Sequence, residues 1–302
     1  MIVIDNSQYP DFLGIGAQKA ATTWLDSILR IHPDVWLPPV KELHYWSDAD
    51  WVRNPSILDR LRGTHPSDVR WRRYFFPCFK RSLRYADIDL IKWNMRFFFG
   101  EPSDQWYQDL FPPMSNKQII RGEITPEYAL IGEQELERIR GLNSKLKIIY
   151  FLRDPIDRAW SQARMNFKIQ QKMRIQYASI DQIRKYFKRR DVIERGLYSK
   201  TLRKWQRYFD SENIFVESVD NISNNPEDVV AKLFEFLNIS NLATEQLFLL
   251  LTKKVFQGEK NKIPKDIERY LASCYLHDLQ ELTKSGRVDC TAWLNRAKLA
   301  NY

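Results

Sequence analysis

The chain has 302 residues, of which 44% are hydrophobic, 14% aromatic and 28% charged, with a formal net charge of +9. This length allows one large α/β domain or two small ones, and no run of about 18 apolar residues predicts a membrane span. The three cysteines are too widely spaced for a zinc pattern or a disulfide framework, and the polar N-terminus does not resemble a secretory signal, so we expect a cytoplasmic protein.

The positive charge is unevenly placed, because residues 138–207 contain 20 Lys and Arg against 5 Asp and Glu. A basic face of this density attracts polyanions such as a nucleotide, an acidic sugar, nucleic acid or an anionic membrane. The aromatic residues form no RNA-binding signature, so we do not expect a nucleic-acid partner. For residues 185–190 a solvated helix face is the simpler interpretation.

A short apolar run, Phe12 to Gly16, predicts a buried strand near the start of the chain. A turn of small residues follows it and leads into a helix predicted over 22–31: Gly16-Ala17-Gln18-Lys19-Ala20-Ala21-Thr22-Thr23. Small residues let backbone N–H groups approach an anion, the threonines can cap the helix, and Lys19 adds a mobile cation. The pattern predicts a phosphate-binding loop, although the G-x-x-x-x-G-K-S/T spacing of the Walker loop is missing. An ordinary strand–turn–helix corner is the alternative.

After a short strand predicted at 35–37 comes the segment Lys41-Glu42-Leu43-His44-Tyr45-Trp46. If this segment is extended, Glu42 and His44 point the same way, because strand side chains alternate with a period of two. Two proton acceptors would then share one face near the phosphate-binding loop. For His44 alone, a packed histidine beside Trp46 is the alternative.

Residues 47–113 are an aromatic-rich insertion in which no clean helical or strand period persists. We expect short helices and loops that pack across the sheet edge and supply a lid over an acceptor pocket. In the simpler interpretation, most of these aromatic side chains serve packing.

A second predicted strand, more than 130 residues after the first, also ends in residues that could bind a ligand. The run 147–152 predicts a buried strand, and Arg153 follows it into a helix predicted over 156–171 and capped by Asp154. Arg153 and Ser161 therefore lie near the carboxyl edge of a parallel sheet, where α/β folds bind ligands. We expect this strand to lie beside the first one or one strand away, with both loops at the same edge.

The remaining elements are predicted from periodicity and from cap or turn residues. Strands are predicted at 119–120 and 214–219, and helices at 133–142, 178–195, 198–208, 226–237 and 266–284, the second of these being one basic helix ended by Gly196. No internal repeat or low-complexity linker appears, so we predict a single domain over 1–302.

Two of these motifs together resemble the sulfotransferase family. The loop Gly16 to Thr23 resembles its 5′-phosphosulfate loop, and the segment from Arg153 to Ser161 resembles its 3′-phosphate motif. The resemblance implies a three-layer, P-loop-like α/β fold with a central parallel sheet flanked by helices. It also implies 3′-phosphoadenosine 5′-phosphosulfate (PAPS) as donor, adenosine 3′,5′-bisphosphate as product, and no metal. Ala21 stands where such loops usually carry Gly, so a positive φ there would require a different local geometry.

The resemblance extends to bacterial relatives of the heparan sulfate and other carbohydrate sulfotransferases. Residues 41–46 are similar to a Glu-x-His-Phe-Phe segment, which implies Glu42 as the base with support from His44, or His44 as the base itself. The segment containing Glu123, Thr125 and Tyr128 is similar to one that lines the acceptor cleft. The basic loop 253–262 matches loosely a loop that closes over the adenosine end of the donor, which implies contacts from its residues Lys254, Gly258 and Lys260.

The implied reaction is sulfuryl transfer to a hydroxyl or amine, with Lys19 at the leaving oxygen and Arg153 and Ser161 on the 3′-phosphate. The acceptor stays open: an anionic sugar fits the basic surface, but a lipid, polyketide-like or phenolic hydroxyl fits as well. A nucleotide kinase or NTPase would need a Mg²⁺-binding carboxylate at a strand end, and no convincing one follows the predicted strands. A non-catalytic polyanion-binding module is the third hypothesis, and the oligomeric state cannot be read from the sequence.

Overall fold

A parallel sheet of five strands, in the order β2-β3-β1-β4-β5, organises the chain. The computed structural model describes residues 9–47, 57–64, 66–112, 119–252 and 262–301. The strands are β1 (Phe12–Gly16), β2 (Val35–Trp36), β3 (Ile120–Ile124), β4 (Lys147–Leu152) and β5 (Ile214–Ser218), and every pairing is parallel.

Helices flank the sheet, and a group of them between β2 and β3 forms the insertion. Within the described ranges they are α1 (Thr22–Arg30), α2 (Ile57–Arg62), α3 (Pro66–Arg84), α4 (Ile88–Phe99), α5 (Asp104–Asp109), α6 (Glu133–Leu142), α7 (Pro155–Gln170), α8 (Ile180–Phe187), α9 (Arg190–Glu194), α10 (Tyr198–Gln206), α11 (Val219–Asn224), α12 (Pro226–Leu237), α13 (Glu245–Thr252), α14 (Lys265–Ser285) and α15 (Thr291–Ala300). None of these helices is long and apolar enough to cross a membrane.

The two central strands explain why the sheet forms. All of β1 is buried, and β4 is buried after its first residue, so both read as continuous apolar runs rather than as alternating patterns. Such runs are typical of parallel strands that helices cover on both faces. The predicted three-layer α/β fold is confirmed, and β1 lies directly beside β4, with Leu13 paired to Ile148.

The local predictions are close to the structure where the signal is a buried strand or a cap. Helix α6 and strand β4 have the predicted bounds, and α7 begins one residue early, at Pro155. Asp154 caps α7 as predicted, since its carboxylate accepts a hydrogen bond from the Ile156 N–H at 2.9 Å. Helices α11, α13 and α15 were not predicted.

The single basic helix predicted over 178–195 is wrong, because the segment forms α8 and α9 with a break between them. Phe187 and Val192 are both fully buried. Five residues apart on one continuous helix, they would point in directions about 140° apart. The break turns Val192 back toward the core, so burial rather than helix propensity decides this segment.

The insertion is more regular than predicted. It contains the 19-residue α3 and the 12-residue α4, not only short helices and loops. Pro77 lies inside α3, and apolar residues occur on its exposed as well as its buried side, which removes the one-sided period that marks a helix. Whether residues 1–302 form a single domain stays a prediction.

Candidate active site

The two predicted anion-binding loops meet at the carboxyl edge of the sheet. Because β1 and β4 are neighbours, their following loops start side by side, and the Ala17 N–H donates to the Phe151 carbonyl at 2.6 Å. The Arg153 guanidinium also reaches the Lys19 carbonyl, with Nη1 to O at 3.4 Å. The prediction that both loops lie at one edge is confirmed.

The loop after β1 turns through left-handed backbone conformations. Gly16 has a φ of 139°, where a Cβ would be strained and would lie 3.1 Å from the Pro126 carbonyl oxygen. Lys19 and Ala21 follow with φ values of 72° and 59°. Ala21 therefore adopts the positive φ itself, so the expectation that its local geometry would differ is wrong. The protein accepts an alanine in a conformation that favours glycine.

The first turn of α1 closes this loop. Ala21 is the N-cap residue and makes no side-chain cap, and Thr22 and Thr23 lie inside the first turn rather than at the predicted cap position. The first turn contains no acidic residue. Backbone N–H groups at a helix N-terminus attract anions, so this end of α1 suits a phosphate or sulfate group.

Lys19 lies in a crowded cationic environment. Its Nζ is 3.8 Å from the Met165 sulfur. Burial lowers the pKa of the Lys19 ammonium, and the nearby cations Arg153 and Arg164 lower it further. Like charges held this close favour a bound anion, which would relieve their mutual repulsion.

A cavity of about 1210 Å³ opens over both loops. Its lining has eight Lys or Arg side chains against three carboxylates, and consists of residues 18–24, Lys41, Glu42, Arg73, Tyr74, Pro126, Arg153, Asp157, Trp160, Ser161, Arg164, Met165, Lys262, Ile263, Lys265, Glu268 and Arg296. This volume accommodates a nucleotide-sized ligand, and the excess of positive charge favours one that carries several negative charges.

The cavity brings together most of the predicted site. The loop residues Gln18 to Thr23, with Glu42, Arg153 and Ser161, line it. Gly16 and Ala17 lie behind the loop as part of the buried backbone turn. Lys254, Gly258 and Lys260 lie outside the described residues, whereas Lys262 from the same basic loop lines the cavity.

The segment that carries Glu42 and His44 is not extended. The prediction that both side chains share one face assumed an extended backbone. Both residues have left-handed backbones, with φ values of 64° and 60°. This curl nevertheless brings the side chains together, with the Glu42 carboxylate 3.5 Å from His44 Nε2. On its other side, His44 Nδ1 lies 3.2 Å from the Ser47 hydroxyl. The predicted proximity holds for a different geometric reason.

Lys41 ties this segment to the anion-binding loop. Its ammonium donates to the Thr23 hydroxyl at 3.1 Å and lies 3.9 Å from the Glu42 carboxylate. The sequence analysis gave Lys41 no role, although its position beside Glu42 was visible.

Glu123 is a buried anchor under the same segment. Its carboxylate accepts hydrogen bonds from the hydroxyls of Tyr107, Thr125 and Tyr128 at 2.5, 2.8 and 2.8 Å, and from the Leu43 N–H at 3.3 Å. Burial raises the pKa of this carboxyl, while the hydrogen bonds from Tyr107 and Thr125 lower it. The carboxylate thus holds the backbone between Glu42 and His44 in place.

This placement differs from the predicted contact of Glu123, Thr125 and Tyr128 with the acceptor. All three side chains are buried, at 1%, 0% and 0% exposure, and none lines the cavity. The physical reason is that the two hydroxyls and the carboxylate bond to one another rather than facing outward. Tyr107, which reaches Glu123 from α5 in the insertion, has no signal in the sequence that would have identified it.

Arg296 clamps the loop after β4 from the far end of the chain. Its Nη1 donates to the Asp154 and Asp157 carboxylates, both at 2.8 Å, and its Nε donates to Glu268 at 2.8 Å. The Asp154 and Asp157 carboxylates and the bond to Glu268 raise the pKa of the Arg296 guanidinium against the opposing effect of burial. Because Asp154 also caps α7, the clamp fixes the position of the adjacent Arg153.

Other cavity residues were also missed. Arg164 lies three residues after Ser161 on α7, so helical spacing alone places the two on one face and could have identified it. Arg73 and Tyr74 come from α3 in the insertion, where no local pattern indicates their direction. Among the described residues, no group of three or more His, Cys, Asp or Glu side chains is arranged to hold a metal ion.

Comparison with known proteins identifies relatives along most of the chain. A family model described as "Sulfotransferase domain" matches residues 9–290. The heparan sulfate glucosamine 3-O-sulfotransferase 6 of Mus musculus is 22% identical over 258 residues, which cover 82% of this chain and 58% of that protein. The heparan sulfate glucosamine 3-O-sulfotransferase 3B1 of Homo sapiens is 24% identical over 260 residues, covering 83% and 52%. The chain thus spans little more than half the length of these curated relatives.

A solved structure shows the same fold. The sulfotransferase from Alicyclobacillus acidocaldarius superposes with a TM-score of 0.63 at 21% identity, over 94% of this chain and 98% of that chain. At this identity the likeness concerns the fold alone.

Proposed function

The chain belongs to the sulfotransferase domain family, and on that premise we propose that it transfers a sulfuryl group from PAPS to a hydroxyl or amine of an acceptor. One observation carries the proposal. Lys19 and Arg153, on two loops 134 residues apart in sequence, are in hydrogen-bond contact at one basic cavity that Glu42 also lines.

The residues present suit this donor. Lys19 and the first-turn N–H groups of α1 would hold the 5′-phosphosulfate, because a helix N-terminus beside a cation favours that charge. Arg153 and Ser161 would hold the 3′-phosphate, through the planar fork of a guanidinium and a hydroxyl. Burial lowers the pKa of Lys19, and repulsion from Arg153 and Arg164 lowers it further, so a ligand that brings negative charge to these cations would be favoured. When bound, PAPS supplies the sulfuryl group and a phosphate leaving group.

Lys19 has the role of neutralising the oxygen that leaves. In an in-line displacement, negative charge develops on the bridging oxygen, and a cation placed there stabilises the transition state more than the ground state. The position of Lys19 in a partly buried loop strengthens this interaction, since a lower local dielectric screens it less than water does.

Glu42 is the proposed proton acceptor. Its carboxylate lines the cavity, whereas His44 lies behind it at 3.5 Å, within reach to orient the carboxylate or to relay the proton. Ser47 on the other ring nitrogen of His44 fixes the ring further. The opposite assignment, with His44 as the base and Glu42 orienting it, is the competing version.

The acceptor class that we propose is an anionic sugar. Curated relatives are named for heparan sulfate glucosamine, and the cavity lining adds Lys41 and Arg73 to the cations assigned to the donor. Basic side chains beyond those needed for the donor favour sulfate or carboxylate groups on the acceptor.

Calorimetric titration tests the donor. We expect adenosine 3′,5′-bisphosphate to bind more tightly than ATP, and Arg153→Ala to abolish most of that preference. Arg190→Ala, at an 85% exposed side chain outside the cavity, is the matched control and should bind like the wild type. If ATP binds as tightly as the bisphosphate, the chain is not built for this donor.

Steady-state kinetics with labelled PAPS test the base. Glu42→Gln keeps the shape but removes the basicity, so kcat should fall by roughly 10²–10⁴ while the Kd of adenosine 3′,5′-bisphosphate barely changes. His44→Ala should cost less. A larger loss for His44→Ala, with wild-type activity falling as pH drops through the histidine range, would assign the base to His44 instead.

A further inference from the structure

The outer side of helix α3 carries an exposed apolar stripe. Val69, Phe76 and Leu83 are seven residues apart, and each is at least half exposed. Seven residues are close to two helical turns, so the three side chains lie on one face. The opposite face of the helix packs inward through Trp71, which is buried, so the stripe is not part of the core.

Helix α4 carries a second exposed apolar stripe that meets the first. Ile88, Met95 and Phe99 recur at spacings of seven and four residues and are 40–66% exposed. Phe75 joins the two helices, since its ring centroid lies 5.2 Å from that of Phe76 and 5.8 Å from that of Phe99. The six stripe residues on α3 and α4 are called the hairpin face below.

The hairpin face is also basic. Helices α3 and α4 together contain eight Lys and Arg against two Asp. Lys80 lies between Phe76 and Leu83 along its stripe, and Lys92 lies between Ile88 and Met95 along the other, both exposed. Of the two aspartates, Asp68 is buried and Asp89 is 3.9 Å from Lys92, so the outward charge is predominantly positive.

We propose that the hairpin face docks onto an anionic lipid surface. Amphipathic helices that lie in a membrane interface combine apolar side chains, which enter the headgroup boundary, with Lys and Arg, which contact anionic headgroups. Contiguous exposed apolar residues mark an interaction site, and the interspersed cations select the partner by charge.

A second copy of the chain is the competing occupant, and the charges disfavour it. A two-fold contact would place the same basic patch against itself, bringing Lys80 and Lys92 opposite like charges. Anionic headgroups would neutralise those charges instead.

The docking places the catalytic cavity close to the membrane. Arg73 lies between Val69 and Phe76 along the stripe of α3 and also lines the cavity, so the cavity opens beside the hairpin face. Acceptors presented at the bilayer surface would therefore lie near the cavity. The docking itself does not depend on the proposed donor or acceptor.

Co-sedimentation of the full chain with vesicles tests the proposal. We expect binding to phosphatidylcholine vesicles that contain about 30% phosphatidylglycerol, and much weaker binding to phosphatidylcholine alone or at high salt. The double variant L83S/M95S should bind anionic vesicles at least about tenfold more weakly, because two apolar insertions are lost. Lys80→Gln and Lys92→Gln should each weaken binding about fivefold.

The matched control is a different exposed apolar pair. Phe248 and Leu249 on α13 are each 59% exposed, in a helix that has no Lys or Arg. F248S/L249S should bind anionic vesicles like the wild type. Equal vesicle binding by the wild type and the hairpin variants would overturn the proposal, as would the absence of any preference for anionic lipid.

Two further measurements separate the causes of a negative result. Thermal unfolding and binding of adenosine 3′,5′-bisphosphate should be unchanged in the hairpin variants, since the substituted side chains face solvent. If the wild-type protein does not bind adenosine 3′,5′-bisphosphate, that result counts against the proposed donor and not against docking. A wild-type dimer that L83S/M95S converts to a monomer, without vesicle binding by either, would show that a second copy covers the face and refute docking.

Discussion

Ala21→Gly offers a direct measure of the strain in the anion-binding loop. Ala21 is the N-cap of α1, with φ 59° and ψ 16°, and is nearly buried. A left-handed conformation is unfavourable by about 1–2 kcal/mol for a residue with a Cβ, and this penalty is absent for glycine. The substitution therefore removes strain, but it also removes a buried methyl group and makes the unfolded chain more flexible.

The competing terms are of similar size. Loss of the buried methyl group costs about 0.8 kcal/mol. The added freedom of glycine in the unfolded state costs about 0.4–1 kcal/mol. With the strain relieved, Ala21→Gly should change the free energy of unfolding by less than about 1 kcal/mol.

The buried neighbour Ala20 is the matched control. It lies in the same loop, is fully buried and is outside the left-handed region, so Ala20→Gly has the same costs without the relief. Ala20→Gly should lower the free energy of unfolding by about 1–2 kcal/mol. Urea unfolding of both variants gives the difference, which should be about 1–2 kcal/mol in favour of Ala21→Gly. Equal losses in the two variants would refute the presence of strain at Ala21.

Three further predictions concern the cavity and its support. Arg153→Ala should weaken the binding of adenosine 3′,5′-bisphosphate by on the order of 2–3 kcal/mol in calorimetry, whereas Lys19→Ala should lower kcat more than it weakens this binding. Equal losses of bisphosphate affinity in the two variants would contradict this division of roles. Arg164→Ala removes a cation that lowers the pKa of Lys19, so Lys19 should stay protonated to higher pH and the alkaline fall of kcat/KM in a pH–rate profile should shift to higher pH. An alkaline fall at the wild-type pH would exclude this coupling. Glu123→Ala leaves buried hydrogen-bond donors without an acceptor, so it should lower the free energy of unfolding by on the order of 3 kcal/mol in urea titrations and should also lower kcat. A loss of stability at unchanged kcat would show that Glu123 does not position the segment that carries Glu42.

Local patterns in the sequence were enough to predict the sheet centre and both anion-binding loops. Strands β1 and β4 are continuous apolar runs, and their carboxyl ends carry small residues or a cap next to a cation. These signals depend on a few neighbouring residues, because strand burial, helix capping and loop flexibility are short-range properties. The α7 start at Pro155, after the Asp154 cap, is predicted for the same reason.

Residues whose positions depend on distant contacts could be placed only by the tertiary structure. Arg296 reaches Asp154 across 142 residues of sequence, and Glu123 fixes Leu43 across 80. Neither pairing leaves a local pattern, because each arises from packing of elements that are remote along the chain. The left-handed backbones of Glu42 and His44 are likewise unfavourable locally. They persist because the buried carboxylate of Glu123 holds the peptide between them, so the surrounding contacts outweigh the local conformational preference.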